Sequence, residues 1–314
     1  MTKRIIILIA LLLVIIGGTL FAVATIKAFK NNNKNFEVKE ELIEEEISDI
    51  ELETDTSHIY LLHSEDGKTK IEYTKKDKIK FEYNVTNGKV YIKQTNEKKW
   101  YDLFSFNTGL YIKLYLPKNS FNDLKIKCST GDISLDKDFT FNSIEVNVST
   151  GDINSNANAL NSFKVIGSTG DIKIDNSKIG NLNIDISTGK VEIKNSNELG
   201  DLYIHTSTGK IIFDSIKCNN LESVASTGKV NVIKTQVTNK IKIKTSTGDV
   251  IFDMSDANEL DIETTTGDVI GSLCSDKTFK VTTSTGKVNT PDTVGGICKI
   301  KTSTGDIKIE IKNN

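Results

Sequence analysis

Apolar and polar positions along the second half of the chain recur with a period of 19 or 20 residues. The pattern aligns on ten glycines: Gly131, Gly151, Gly170, Gly189, Gly209, Gly228, Gly248, Gly267, Gly286 and Gly305. Two residues after each glycine stands an Ile or Val, from Ile133 to Ile307. Seven before it the column runs from Leu124 to Cys298 through Leu, Ile and Phe, and five before it only Ser223 interrupts a run of Ile and Val. Positions two apart share one face of a strand. Each repeat therefore predicts two short strands of about five residues with apolar inner faces, joined by a tight turn at the glycine and by a looser turn that absorbs the variation in length. A period this strict predicts a stack of coils. The expected fold is all-β: a single-stack β-solenoid of about ten coils of 19–20 residues, about 4.8 Å apart, forming a rod on the order of 50 Å long.

Upstream the beat is lost. From Asp49 to Lys118 polar and apolar residues alternate, as in Lys78–Tyr83 and Lys89–Ile92, around the tight-turn pair Asn87-Gly88. Gly67, Gly88 and Gly109 lie 21 residues apart, so this stretch fits either degenerate coils or an antiparallel cap. Trp100 and most tyrosines fall here, as suits a bulky cover for the open end of a stack. Residues 31–48, rich in Asn and Glu, read as a solvated spacer. Ile5 to Ile26 is an uncharged run of 22 residues, long enough to span a bilayer and longer than the apolar core of most signal peptides, although Ala22-Val23-Ala24 resembles a cleavage site. The predicted division is a tail at 1–4, a transmembrane helix acting as signal anchor at 5–27, a charged linker at 28–48, an irregular β region or cap at 49–123 and the repeats at 124–314. Large domains translocate largely regardless of flanking charge, which places the repeats outside the cell, with the chain a single-pass protein of the cell membrane.

The glycine of each beat belongs to a longer motif, Ser-Thr-Gly followed by Asp or Lys and then Ile or Val, with Thr in place of Ser at Thr265. Tandem beats of this kind behind one apolar N-terminal segment, introduced by Tyr111-Ile-Lys-Leu-Tyr-Leu-Pro117, resemble the bacterial putative-adhesin family of β-strand-repeat proteins, a domain family of unknown function. The resemblance implies a β-solenoid at the cell envelope, in some members linked with envelope stress, and implies no active site or ligand.

Composition narrows the partners. The net charge is −2 and Arg4 is the only arginine, so the body has no bidentate phosphate grip and nucleic acid is not an expected partner. The four cysteines form no metal or redox pair; Cys128 and Cys298 fall in apolar columns, whereas Cys218 and Cys274 fall in looser turns and are expected to be exposed. His58, His63 and His205 are too scattered to form a ligand set. After each glycine comes Asp in six coils and Lys in four; stacked aspartates raise calcium, but the period is wrong for calcium-binding solenoids and lysine interrupts the row, so these charges are expected to face water. The preceding Ser and Thr hydroxyls are expected to bond the turn backbone. On an outward column, Ile212, Ile251 and Ile270 replace polar residues and mark a candidate partner patch.

The chain thus reads as a non-enzymatic, membrane-anchored scaffold for adhesion or interaction, its partner an unknown protein or polysaccharide at the envelope. No cofactor, metal or catalytic residue is expected. Two alternatives are a regulatory or sensing component of envelope stress and a polysaccharide-acting β-helix enzyme, which would need a localised cluster of carboxylates or bases breaking the columns.

Overall fold

The computed structural model describes residues 37–97 and 109–312, together with Thr19. The segment predicted to cross the membrane lies outside the described residues except for Thr19. No helix among the described residues is long and apolar enough to cross a bilayer.

The repeats form a β-solenoid whose ten glycine corners delimit about nine turns. Coils stack in parallel and in register, so that the aligned columns become ladders: Leu124 sits beside Ile144, Ile144 beside Phe163, and Phe163 beside Leu182. One apolar core runs from Ile43 to Ile309.

The coil differs from two equal short strands. On one side the strands are short, as in Ile133–Leu135 and Val191–Lys194. On the other they are long, 11 residues in Ser120–Thr130 and Lys178–Thr188. Several long strands shift register part-way, between Phe141 and Ser143 and between Val237 and Lys240 for example, so each contributes two limbs to the wall. The first limb buries an additional column that includes Phe121, Phe141, Ile179, Leu199 and Cys218. The looser turn is also ordered. Asn176, Asn195, Ser215, Lys234 and Met254 take φ between 45 and 57°, a left-handed corner built mostly without glycine. Just beyond it, buried hydroxyls at Ser177, Ser196, Thr235 and Ser255 each donate to the carbonyl two residues earlier, at 2.7–3.1 Å. They also accept amide N–H groups from the adjacent coil, Ser177 donating to Ser196 Oγ and Thr235 to Ser255 Oγ at 3.0 Å. Buried backbone groups at the turn are thereby satisfied.

At the N-terminal end both upstream alternatives are realised. Asp49–Thr56 and His58–His63 form a degenerate coil, with Ile50 beside Leu124 and Ile59 beside Ile133. Its corner residue is Ser57, whereas Gly67, Gly88 and Gly109 sit in turns with φ of 72, 76 and 82°. Beyond that coil come Lys89–Asn96 on the long-strand side and Tyr111–Leu116 on the short-strand side, still parallel to it. Antiparallel strands then close the end: Ile79–Thr86 pairs with Lys89–Asn96, Thr69–Lys75 with Tyr111–Leu116, and Glu37–Ile43 with Thr69–Lys75. The strand Glu37–Ile43 lies within the stretch read as linker.

The C-terminal end departs from sequence order. The last coil, with strands Gly296–Thr304 and Ile307–Ile311, is inserted between the coil of Gly267 and that of Gly286. The reason lies in composition. Ile300, Ile307 and Ile309 make this coil apolar enough to be buried, whereas Lys277–Thr285 and Val288–Asn289 offer a weaker face to the end. Lys277 fixes the order. Its side chain passes over Gly296, whose absent side chain leaves the room, and its Nζ meets Asp256 Oδ1 at 2.6 Å with both side chains at least nine-tenths buried. The strand Ile307–Ile311, last in sequence, lies one coil inside the end of the stack.

Candidate interaction surface

The feature repeated along the whole rod is the Ser-Thr-Gly corner. All ten corner glycines have φ between 144 and 156°. Close approach is a second and stricter demand than this backbone angle. A Cβ on Gly209 would lie 1.8 Å from the carbonyl oxygen of Gly189, and one on Gly189 1.9 Å from that of Gly170. The corners touch backbone to backbone, and only glycine permits it.

The Ser and Thr before each glycine are exposed at all ten corners. Their hydroxyls were expected to bond the turn backbone, yet none of them bonds another described residue. The turn is held by main-chain bonds instead, such as Gly189 N–H to Thr208 O at 3.0 Å. What remains on the surface is a double row of free hydroxyls repeating every coil, about 4.8 Å apart.

The residue after the glycine does more than face water. Asp132 Oδ1 accepts the amide of Asp152 at 2.9 Å, Asp152 Oδ1 that of Asp171 at 2.7 Å, and Asp171 Oδ1 that of Lys190 at 2.8 Å. The same contact links Asp249 to Asp268, Asp268 to Asp306 and Asp306 to Lys287. His58 starts the row, its Nδ1 lying 3.1 Å from the amide of Asp132. Because the last coil is inserted, the spatial order is three Asp, three Lys (Lys190, Lys210, Lys229), three Asp (Asp249, Asp268, Asp306) and then Lys287. Lys229 Nζ meets Asp249 Oδ2 at 2.8 Å where the blocks join. That contact, and after it the Asp268 amide, lowers the Asp249 carboxyl below its ordinary value.

The three isoleucines of the candidate patch lie on the outer face of the short strands and are half-buried. Ile251 and Ile270 are register neighbours, but Asn231 stands between Ile251 and Ile212. Larger apolar exposure occurs elsewhere, at Leu160, Ile166 and Tyr203 on the long-strand side and at Val288, Val294 and Ile297 near the C-terminal end. Charge pairs form across coils, at Lys125–Glu145 (3.5 Å) and Lys242–Glu222 (2.7 Å).

With these corners in view, the sequence matches the Toastrack family, DUF4097, over residues 47–197 and again over 194–314. The chain belongs to the Toastrack family. No curated protein matches it. Among solved structures it is similar to a putative adhesin from Bacteroides fragilis, with 16% identity over 89% of this chain and 99% of that one and a TM-score of 0.44. It is similar also to a putative lipid binding protein from Parabacteroides distasonis, with 15% identity, coverage of 88% and 98%, and a TM-score of 0.41. A third similar structure is a putative cell adhesion protein from Clostridium sporogenes, with 13% identity, coverage of 88% and 100%, and a TM-score of 0.20.

The two Toastrack matches meet near Lys194, but the ladder runs through that point without a break, Ile193 beside Phe213 and Lys194 beside Asp214. The three histidines of this Toastrack chain lie in separate settings, His58 at the head of the Asp row. His63 Nε2 lies 2.7 Å from Lys137 O and its ring stacks on Phe139, while His205 Nδ1 meets Asp185 Oδ1 at 2.7 Å. Among the described residues no three His, Cys, Asp or Glu side chains gather as metal ligands would. All four cysteines are free. Cys128 and Cys298 are core residues; Cys218, expected on the surface, is buried in the first-limb column beside Val237, and Cys274 is half-buried. Burial pushes the Cys218 and Cys298 thiols up to about 12. The first-limb column and the buried hydroxyl row escaped the sequence reading; apolar residues ten or eleven before most corner glycines, and Ser or Thr twelve or thirteen before several, were the available signal.

Proposed function

We propose that this Toastrack chain is a non-enzymatic display scaffold of the cell envelope, tethered by its N-terminal apolar segment and presenting the corner edge of the rod to a protein or polysaccharide. The observation that carries this reading is the double row of exposed corner hydroxyls that no other described residue uses. A stack with one continuous core holds its surface groups at fixed spacing, so a repetitive ligand meets many weak contacts at once without ordering the protein. Hydroxyl rows flanked by blocks of Asp and Lys suit a polar, repeating partner better than an apolar one.

The test removes the row and leaves the fold. Replacing Ser187, Ser207 and Ser226 by Ala and Thr188, Thr208 and Thr227 by Val exchanges only exposed side chains in three adjacent coils. The variant is expected to melt within a few degrees of the parent, while attachment of cells carrying it to purified envelope polysaccharide or to partner cells falls to the level of a deletion strain. Attachment equal to the parent, with normal surface amounts, would sink the proposal. A change in stress-gene expression without a change in attachment would favour the regulatory role instead.

A further inference from the structure

At the N-terminal end of the solenoid aromatic side chains pack against the aliphatic core. Where Thr69–Lys75 and Ile79–Thr86 face each other across the core, the Tyr73 and Phe81 rings stack with centroids 3.6 Å apart and planes 11° from parallel. Tyr83 lies 6.3 Å from Phe81 at 44°. These rings, with Tyr91, Glu41, Glu82 and Asn84, line an open cleft of about 550 Å³. Register puts Glu41 beside Ile71 on the last strand of the short-strand side, on the face that points into this end.

Charge decides what such a cleft takes. Its lining holds two carboxylates and no lysine or arginine. Glu82 is engaged by Lys80 at 2.5 Å, and Lys39, beside Tyr73 in register, is engaged by Glu37 at 2.5 Å. Tyr91 donates its hydroxyl to Glu53 at 2.9 Å. Glu41 has no hydrogen bond or ion pair with any described residue. Burial, and after it the Glu41 charge, raises the Tyr73 and Tyr83 phenols above their ordinary value, which fits a carboxylate close to both rings. Aromatic faces around an unpaired carboxylate attract a cation that sheds water easily, and an alkylated ammonium is the cation that does so.

We propose that this end cleft binds an alkylated ammonium group, its methyls against the rings of Tyr73, Phe81 and Tyr83 and its charge opposed by Glu41. The site is independent of the corner rows.

The probe is choline, titrated calorimetrically into the full-length protein in a choline-free detergent, beside 3,3-dimethyl-1-butanol, which has the same shape without the charge. Choline should bind saturably and the neutral analogue roughly five-fold or more weaker, the factor expected from about 1 kcal/mol of cation–π attraction. Glu41→Gln and Tyr83→Leu, both at the edge of the fold, should each weaken choline about three-fold or more with little change in melting temperature. Equal affinity for the two probes, no saturable heat, or unchanged binding in both variants would overturn the proposal. Tighter binding of a methyl glycoside than of choline would overturn it too, reassigning the rings to sugar stacking. Sedimentation with phosphatidylcholine vesicles, competed by free choline, would place the group on a lipid; choline binding without sedimentation would place it on a soluble molecule.

Discussion

The middle of the rod and its two ends solve different problems. In the middle every coil has a neighbour on each side, and Gly189 and Gly209 touch the next carbonyl as closely as backbone can. At the ends a ladder must stop. The N-terminal end stops by turning antiparallel and packing Tyr73 and Phe81 against the aliphatic core; the C-terminal end stops by tucking its last coil inside the previous one and clasping it with Lys277 and Asp256. The middle is therefore specified by repetition and the ends by single contacts, and the two should fail differently.

The largest effect is expected in the middle. Gly209→Val forces a side chain against the Gly189 carbonyl and should cost more than about 3 kcal/mol, seen as a urea midpoint well below that of the parent or as failure to fold. At the C-terminal end Lys277→Met leaves Asp256 buried without its cation and should cost about 3 kcal/mol, with hydrogen exchange rising first in Gly296–Thr304. Adding Asp256→Asn should restore most of that loss; no recovery would mean that Lys277 acts through its packing alone.

A smaller effect separates the Asp blocks from the Lys block. Asp171→Ala removes the acceptor for the Lys190 amide and should cost about 1 kcal/mol, whereas Lys210→Ala should be close to neutral by the same urea melts. Acid probes the junction of the blocks, where Asp249 meets Lys229 and the Asp268 amide. Because the folded Asp249 carboxyl is held below its ordinary value of 3.8, its contribution is complete above that pH and is lost as pH falls through the lowered value. Asp249→Asn should therefore flatten the stability profile below about pH 4 and not above it. A comparably small effect belongs to a turn glycine. Gly67 has φ of 72° but open space around its Cα, so Gly67→Ala should cost only about 1 kcal/mol, and a loss as large as that of Gly209→Val would erase the distinction between corner and turn.

The repeating part is written residue by residue in the chain. Period, inward columns and the corner glycine were all legible, because a side chain that must point into a core or a Cβ that would strike a carbonyl leaves its mark at the same offset in every coil. The corner was legible as a place but not in its workings. Which group bonds the Asp carboxylate depends on the coil stacked beside it, and whether a Ser hydroxyl finds a partner depends on distances that no single repeat encodes. The ends take their form from contacts between distant residues. Ser57 as a corner in place of glycine, the last coil lodged between Gly267 and Gly286, the reach of Lys277 to Asp256 and the meeting of Glu41 with three aromatic rings join residues far apart in the chain and occur once each. A periodic reading averages such features away, and only the energy of closing the stack selects them.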